Sequence, residues 1–312
     1  MTSAGAESVE ALAEVRRAVV LGANGWFGRT AIDILSTAWG EALGRRVHPF
    51  ARRHHDIQLP SGEVLDVLPI SELVSLDPEP GTLLIDCAYP TQEKVDDLGV
   101  SEYRQAVEDL RRLVTGEIER LRPLACVSLS SGAVLAGEEA AERTRVYGAM
   151  KRDDEQRLAG LCPSLGVKLC IARVYATSGL HMTKPETYAL GDLILQAKAG
   201  GPLRVLADRE VFRSYALARD ILRVAILAAL DASPERPVVF ETGGEEIEVG
   251  ELARRVALVV VGQELEIERP LLASGAPDRY VGDRRLMEEL AAAHGIELAG
   301  LDEQIRETAD GL

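Results

Sequence analysis

Continuously apolar runs alternate with helix-period patterns from Arg17 to about Val174, and that alternation is the strongest signal in the chain. The strand-like runs are Arg17–Leu21, Val47–Ala51, Val64–Asp66, Thr82–Cys87, Ala125–Leu129 and Lys168–Arg173. They are apolar on successive positions, as strands covered on both faces must be. Between them, Gly28–Trp39, Ser101–Arg120 and Tyr147–Leu161 repeat apolar residues at helical spacing. Ser71–Leu76 is too short to assign. The pattern predicts an α/β fold built on a doubly wound parallel sheet.

Beyond Val174 the pattern is less regular. Thr187–Ala199, Ala218–Ala232 and Val249–Gly262 read as helices, and a last helix or two follow Gly282. Leu203–Leu206, Val238–Thr242 and Glu264–Glu268 read as strands. We therefore expect a dinucleotide-binding domain over 14–175 and a smaller α+β substrate lobe over 176–312. No repeat, low-complexity linker or Pro-rich hinge separates them, so they are expected to pack as one unit and the chain is free to cross between them.

Three groups of residues carry candidate chemistry. Gly22, Gly25 and Gly28 stand where the first strand turns into the first helix. Glycines there serve a tight turn, a close approach of backbone to a pyrophosphate, and close helix–strand packing. The free N–H groups of the helix supply an anion site. Ser130 and Ser131 end the strand that begins at Ala125, beside the crevice where such sheets bind ligands. Tyr147 and Lys151, four apart, share a helix face. An ammonium beside a phenol favours the phenolate, so a low tyrosine pKa and general acid–base work are expected.

Gly22-x-x-Gly25-x-x-Gly28, Ser130-Ser131 and Tyr147-x-x-x-Lys151, in that order, resemble the extended short-chain dehydrogenase/reductase family, the group of nucleotide-sugar epimerases, dehydratases and ketoreductases. Arg213-Ser214-Tyr215 through Asp220, and Phe240-Glu241-Thr242-Gly243-Gly244 followed by Glu251-Leu252-Ala253, continue the likeness, which spans about Arg17 to Leu290. The resemblance implies a Rossmann-like domain and these roles. Tyr147 moves the proton at a carbonyl or alcohol. Lys151 lowers its pKa and holds the nicotinamide ribose. Ser131, in preference to Ser130, orients the substrate oxygen. Gly22, Asn24, Gly25, Trp26, Phe27 and Gly28 form the cofactor turn. Asp66 and Val67 contact the adenine; Cys87, Ala88, Tyr89 and Val174 line the cofactor. Tyr89 and Ser131 face the substrate, and Arg213 binds a diphosphate if the substrate is nucleotide-linked.

Charge bears on the cofactor. A carboxylate about 20 residues past the glycines would take both ribose hydroxyls of NAD. The chain instead has Phe50-Ala51-Arg52-Arg53-His54-His55 at the end of the second strand. Two guanidiniums suit a 2′-phosphate, so NADP(H) is favoured over NAD(H). His54 and His55 are read as part of this loop, and no metal site is expected.

The expected reaction is NADP(H)-dependent reduction of a carbonyl on a compact polar substrate, with an NDP-4-keto-6-deoxysugar as the leading candidate. An epimerase that retains its cofactor is the enzymatic alternative, and a non-catalytic dinucleotide sensor the alternative of another class. Ser131 is followed by Gly132-Ala133 rather than the Asp-Glu pair of the family's dehydratases, which disfavours 4,6-dehydration. Ala176 and Ala106 stand where many sugar-nucleotide members carry asparagine.

Composition sets the outer bounds. The 312 residues are 46% hydrophobic and 27% charged, a globular balance. A net charge of −15 disfavours nucleic acid and anionic membranes as partners. Four scattered cysteines fit reduced thiols of a cytoplasmic protein. The Ala/Glu-rich start, Met1 to Val15, lacks the apolar core of a signal peptide. A small-molecule substrate is thus the expected partner, with a homodimer left open.

Overall fold

The computed structural model describes residues 12–59 and 61–312, so most of the Ala/Glu-rich start lies outside the described residues. The strands are β1 (Arg17–Leu21), β2 (Val47–Ala51), β3 (His55–Gln58), β4 (Val64–Pro69), β5 (Thr82–Asp86), β6 (Ala125–Ser131), β7 (Lys168–Val174), β8 (Ala176–Ser178), β9 (Leu203–Arg204), β10 (Val211–Leu217), β11 (Val238–Glu241), β12 (Glu246–Glu248), β13 (Ile267–Glu268) and β14 (Asp278–Tyr280). Eight of them form one sheet in the order β11-β7-β6-β5-β1-β2-β4-β3. Every pairing in it is parallel except β3 with β4.

The apolar runs explain why this sheet is covered twice. Successive residues of β1 feed opposite cores. Ala18 and Val20 pack with Ile32 and Leu35 of the helix Trp26–Trp39 and with Ile221 and Leu222 of Ala218–Asp231. Val19 and Leu21 pack with Val114 and Ile118 of Val100–Leu121 and with Leu158 and Cys162 of Glu142–Ser164. An alternating strand could serve only one of these layers.

The second layer is a smaller sheet, β12-β10-β14 with β8 on β10, over its own core of Leu193, Ile194, Leu252 and Ile305. The chain crosses back from it: Ala218–Asp231 covers β6 and β7, and β11 adds to β7 in parallel. The α/β sheet architecture expected above is what the chain adopts. Its unpredicted piece is β3, which makes His55 a strand residue rather than loop. Only Ile57 of its four side chains is buried, too little to register as an apolar run.

Because β11 closes the large sheet from the far half of the chain, Phe240 belongs to the first core although it lies beyond residue 176. Phe240→Ala, at a site only 1% exposed, is expected to cost about 3–5 kcal/mol in one cooperative unfolding transition. Urea unfolding followed by tryptophan fluorescence checks this; a second, separate transition would show that β11 is not integral to the sheet.

Candidate active site

The crevice lies at the carboxyl ends of the parallel strands, and the glycine turn forms one wall. Gly22 has φ +75°, and a β-carbon there would stand 2.7 Å from the Cys87 carbonyl carbon, so the turn is pressed against the segment after β5. Cys87 N–H donates to the Leu21 carbonyl at 3.0 Å. The helix Trp26–Trp39 then starts with no side-chain cap and no acidic residue in its first turn. Its first N–H groups are therefore available to an anion. Asn24 and Gly25 are exposed, and Phe27 is half-buried. The Trp26 side chain is buried against Met182 and Ala218, its indole N–H unpartnered, so Trp26 offers the crevice only backbone.

At the end of β2, Arg52 and Arg53 are exposed, and among the described residues neither guanidinium makes an ion pair or hydrogen bond. Asp66 and Val67 are placed differently from expectation. Both lie inside β4, which runs on to Pro69 because Leu68 and Pro69 pair with Phe50 and Ala51. Val67 is wholly buried, and the Asp66 carboxylate meets His54 at 2.7 Å. His54, Asp56 and Asp66 gather at this exposed hairpin.

Ser131 closes β6, and its hydroxyl oxygen accepts the Ala133 N–H at 3.2 Å. Tyr147 is brought beside it by Gly148, where a β-carbon would collide with the Ala133 carbonyl. Burial raises the Tyr147 phenol above its ordinary pKa, joined by the nearby phenols of Tyr103 and Tyr280 and opposed by the Ser131 hydroxyl. The low phenol pKa expected from Lys151 is thus not what this arrangement produces. Lys151 Nζ instead donates to the Leu129 carbonyl at 2.7 Å and sits 3.4 Å over the Tyr89 ring. Tyr89 in turn meets Tyr147 edge-on, 5.8 Å between centroids.

Lys151 faces a small cavity of about 40 Å³, lined also by Asp86, Tyr89, Arg111, Ser130 and Asp154. The strand's alternation sends Ser130 and Ser131 to different surroundings: among the described residues the buried Ser130 hydroxyl has no partner, while Ser131 faces the tyrosines. Burial lowers Lys151 to about 8, with Asp86 and then Asp154 pulling it upward. Burial raises Asp86 to about 6, with Lys151 pulling it down. Asp154 also accepts from Tyr89 at 2.8 Å and from Arg111.

Sequence reasoning missed Tyr280. It arrives on β14, in register with Arg213 of β10, and its hydroxyl lies 3.2 Å from Ser131 Oγ. Its ring packs against that of Tyr175, 4.7 Å between centroids and tilted by 39°, and the Arg213 guanidinium is 6.0 Å from its centroid. Arg213 also pairs with Asp278 at 3.0 Å. A three-residue strand in a polar segment leaves no periodicity by which to find it. Val174 follows in register with Ser131 on β7.

Asp86 is the group that most supports the Lys151 charge. Asp86→Asn is expected to move the Lys151 midpoint below its value of about 8, because the carboxylate's pull is lost while the burial remains. Titration of ¹³Cε-lysine by NMR reads it directly; an unchanged or higher midpoint would refute the coupling.

No protein-family model and no curated protein sequence matches the chain. Solved structures do. A UDP-N-acetylglucosamine 4-epimerase from Methanobrevibacter ruminantium M1, in complex with UDP-N-acetylmuramic acid, aligns over 95% of this chain and 98% of its own at 17% identity and TM-score 0.70. MoeE5, in complex with UDP-glucose and NAD, aligns over the same shares at 18% identity and TM-score 0.71. TunA, an NAD-dependent NDP-hexosamine 5,6-dehydratase of tunicamycin biosynthesis, aligns over 95% and 97% at 18% identity and TM-score 0.69. The chain has the Rossmann-like fold of these nucleotide-sugar enzymes along nearly its whole length.

Proposed function

We propose that the chain is an extended short-chain dehydrogenase/reductase, a nicotinamide-dependent oxidoreductase acting at a carbonyl or alcohol of a nucleotide-linked sugar. The observation that carries this is the placement of Ser131 and Tyr147 together at the end of β6, across from an uncapped helix start behind Gly22. The residues fit the dinucleotide. A close-approach glycine and free N–H groups suit its pyrophosphate, and the ends of β5 and β7 leave Ala88 and Val174 to flank it. When bound, it would give or take the hydride.

The chain's own part is proton handling and orientation. Ser131 donates to the substrate oxygen and holds it toward Tyr147. Tyr147, kept protonated by burial, gives its proton to the developing alkoxide, the direction a reduction requires. Arg213, beside Tyr280, is positioned for an anionic part of the substrate such as a diphosphate. Reduction of a 4-keto sugar is the finer reading. Epimerisation is favoured by one observation, that a 4-epimerase is among the neighbours sharing the fold. Net consumption of reduced cofactor by NDP-4-keto sugars separates the two, since an epimerase returns the hydride it removes.

The cofactor reading rests on Arg52 and Arg53. MoeE5 was solved with NAD, so a preference for NADP(H) would mark a departure of this chain from that neighbour. Two partnerless guanidiniums at the end of β2 support it. Charge-assisted bonds are worth roughly 1.5–3 kcal/mol each, so at least about tenfold tighter binding of NADPH than NADH is expected. Titration of both, repeated with Arg52→Ala/Arg53→Ala, tests it; equal affinities in the unaltered protein, or no loss of discrimination in the double variant, would reject the NADP(H) preference.

Tyr147→Phe is expected to lower kcat by about 10²–10⁴-fold while leaving dinucleotide affinity nearly intact. Near-native kcat would remove Tyr147 from the mechanism, and binding without turnover of any nucleotide sugar would favour a dinucleotide sensor.

A further inference from the structure

We infer that the cavity behind Lys151 is an ordered-water site, in which a bridging water joins the Lys151 ammonium to the Ser130 hydroxyl and the Asp86 carboxylate. The floor of this cavity is polar where a sheet covered by helices is ordinarily apolar. Asp86 of β5 and Ser128 of β6 lie in register on one face, and Ser130, two positions on, shares that face. The helices Val100–Leu121 and Glu142–Ser164 cover it and bring Arg111, Lys151 and Asp154 to the same space.

The hydrogen-bonding groups left over at the cavity match those of a water. A lysine ammonium has three N–H donors. One goes to the Leu129 carbonyl at 2.7 Å, and the ammonium lies 3.4 Å over the Tyr89 ring. That leaves a donor for the cavity. Ser130 is only 6% exposed, and among the described residues its hydroxyl has no partner, a costly state for a buried hydroxyl. One Asp86 oxygen accepts the Ala88 N–H at 3.1 Å, and the other has no hydrogen bond among the described residues. The remaining charges are already engaged: Arg111 with Glu108 and Asp154, and Glu155 with Arg173. Asp86 is therefore the carboxylate left for Lys151, and it acts on the ammonium through charge without touching it. A water spans that gap. It accepts from the ammonium, donates to the carboxylate, and pairs with the Ser130 hydroxyl in either sense. The volume of about 40 Å³ exceeds the roughly 10–15 Å³ that one water needs, and three polar partners are enough to hold it.

The site can be tested without turnover, so failure of the reaction proposed above leaves it standing. A high-resolution crystal structure of the unaltered protein is expected to show a density peak at roughly 2.5–3.2 Å from Ser130 Oγ, Lys151 Nζ and an Asp86 oxygen. The lack of such a peak overturns the inference. Ser130→Val puts methyl groups in place of the hydroxyl and the water. The Lys151 ammonium then loses an acceptor while its burial remains, with Asp86, Cys87, Asp154 and Glu155 still facing it. Its acid dissociation constant is expected to rise about tenfold or more, the worth of one hydrogen bond to a charged group. Titration of ¹³Cε-lysine by NMR reads this, and an unchanged or higher midpoint overturns the bridge to Lys151. Should the valine variant not fold, the peak in the unaltered protein still decides the site.

Discussion

The contact between Gly148 and the Ala133 carbonyl is the constraint on which the site depends. It is so close that no β-carbon fits between them. Through it the helix Glu142–Ser164 lies directly on the turn that follows β6. Tyr147 is adjacent to the contact, Lys151 one turn on and Asp154 a turn beyond. A methyl group would lift the whole helix face. Tyr147 would leave Ser131, Lys151 would leave the Leu129 carbonyl, and Asp154 would leave Tyr89 and Arg111. Spacing of four residues puts Tyr147 and Lys151 on one face, but only this glycine decides how near that face comes to the strand.

The same approach forces charge into the interior. Lys151, Arg111 and Glu155 are all buried. Such groups are costly unless each finds an opposite charge and its hydrogen bonds. Arg111 meets Asp154 and Glu108, and Glu155 takes a two-pronged bond from Arg173. Lys151 is the exception. It has a carbonyl and an aromatic face, but among the described residues no carboxylate within ion-pair distance. Burial therefore weakens its ammonium, and burial raises Asp86 to about 6 although its carboxylate accepts the Ala88 N–H at 3.1 Å. The lysine is held in an environment that strains its charge, beside the site where a proton would be handled.

The parts of the molecule legible in the sequence were those set by local pattern. Continuous apolar runs located β1, β2, β5, β6 and β7 to within a residue or two at each end, since burial on both faces leaves no other choice of residues. Spacing was enough to put Tyr147 and Lys151 on one helix face, and the end of an apolar run was enough to put Ser131 near a strand end. Long-range geometry was not. That Val67 is core and Asp66 is tied to His54 depends on the register of β4 against β2 and β3. The side of the helix on which Lys151 spends its hydrogen bond depends on the packing of Tyr89 and Asp86. Tyr280 is 149 residues from Ser131 and carries no periodic signal.

That separation has a consequence for how the two layers work together. Ser131 is the last residue of a strand in the large sheet, yet one of the hydroxyls within reach of it comes from the small one. Tyr147 approaches from the helix covering the large sheet, Tyr280 from β14 beside Arg213. Arg213 therefore stands on the same short pair of strands as the phenol that contacts Ser131. Arg213 also pairs with Asp278 at the head of β14, so side chains as well as backbone join the two strands.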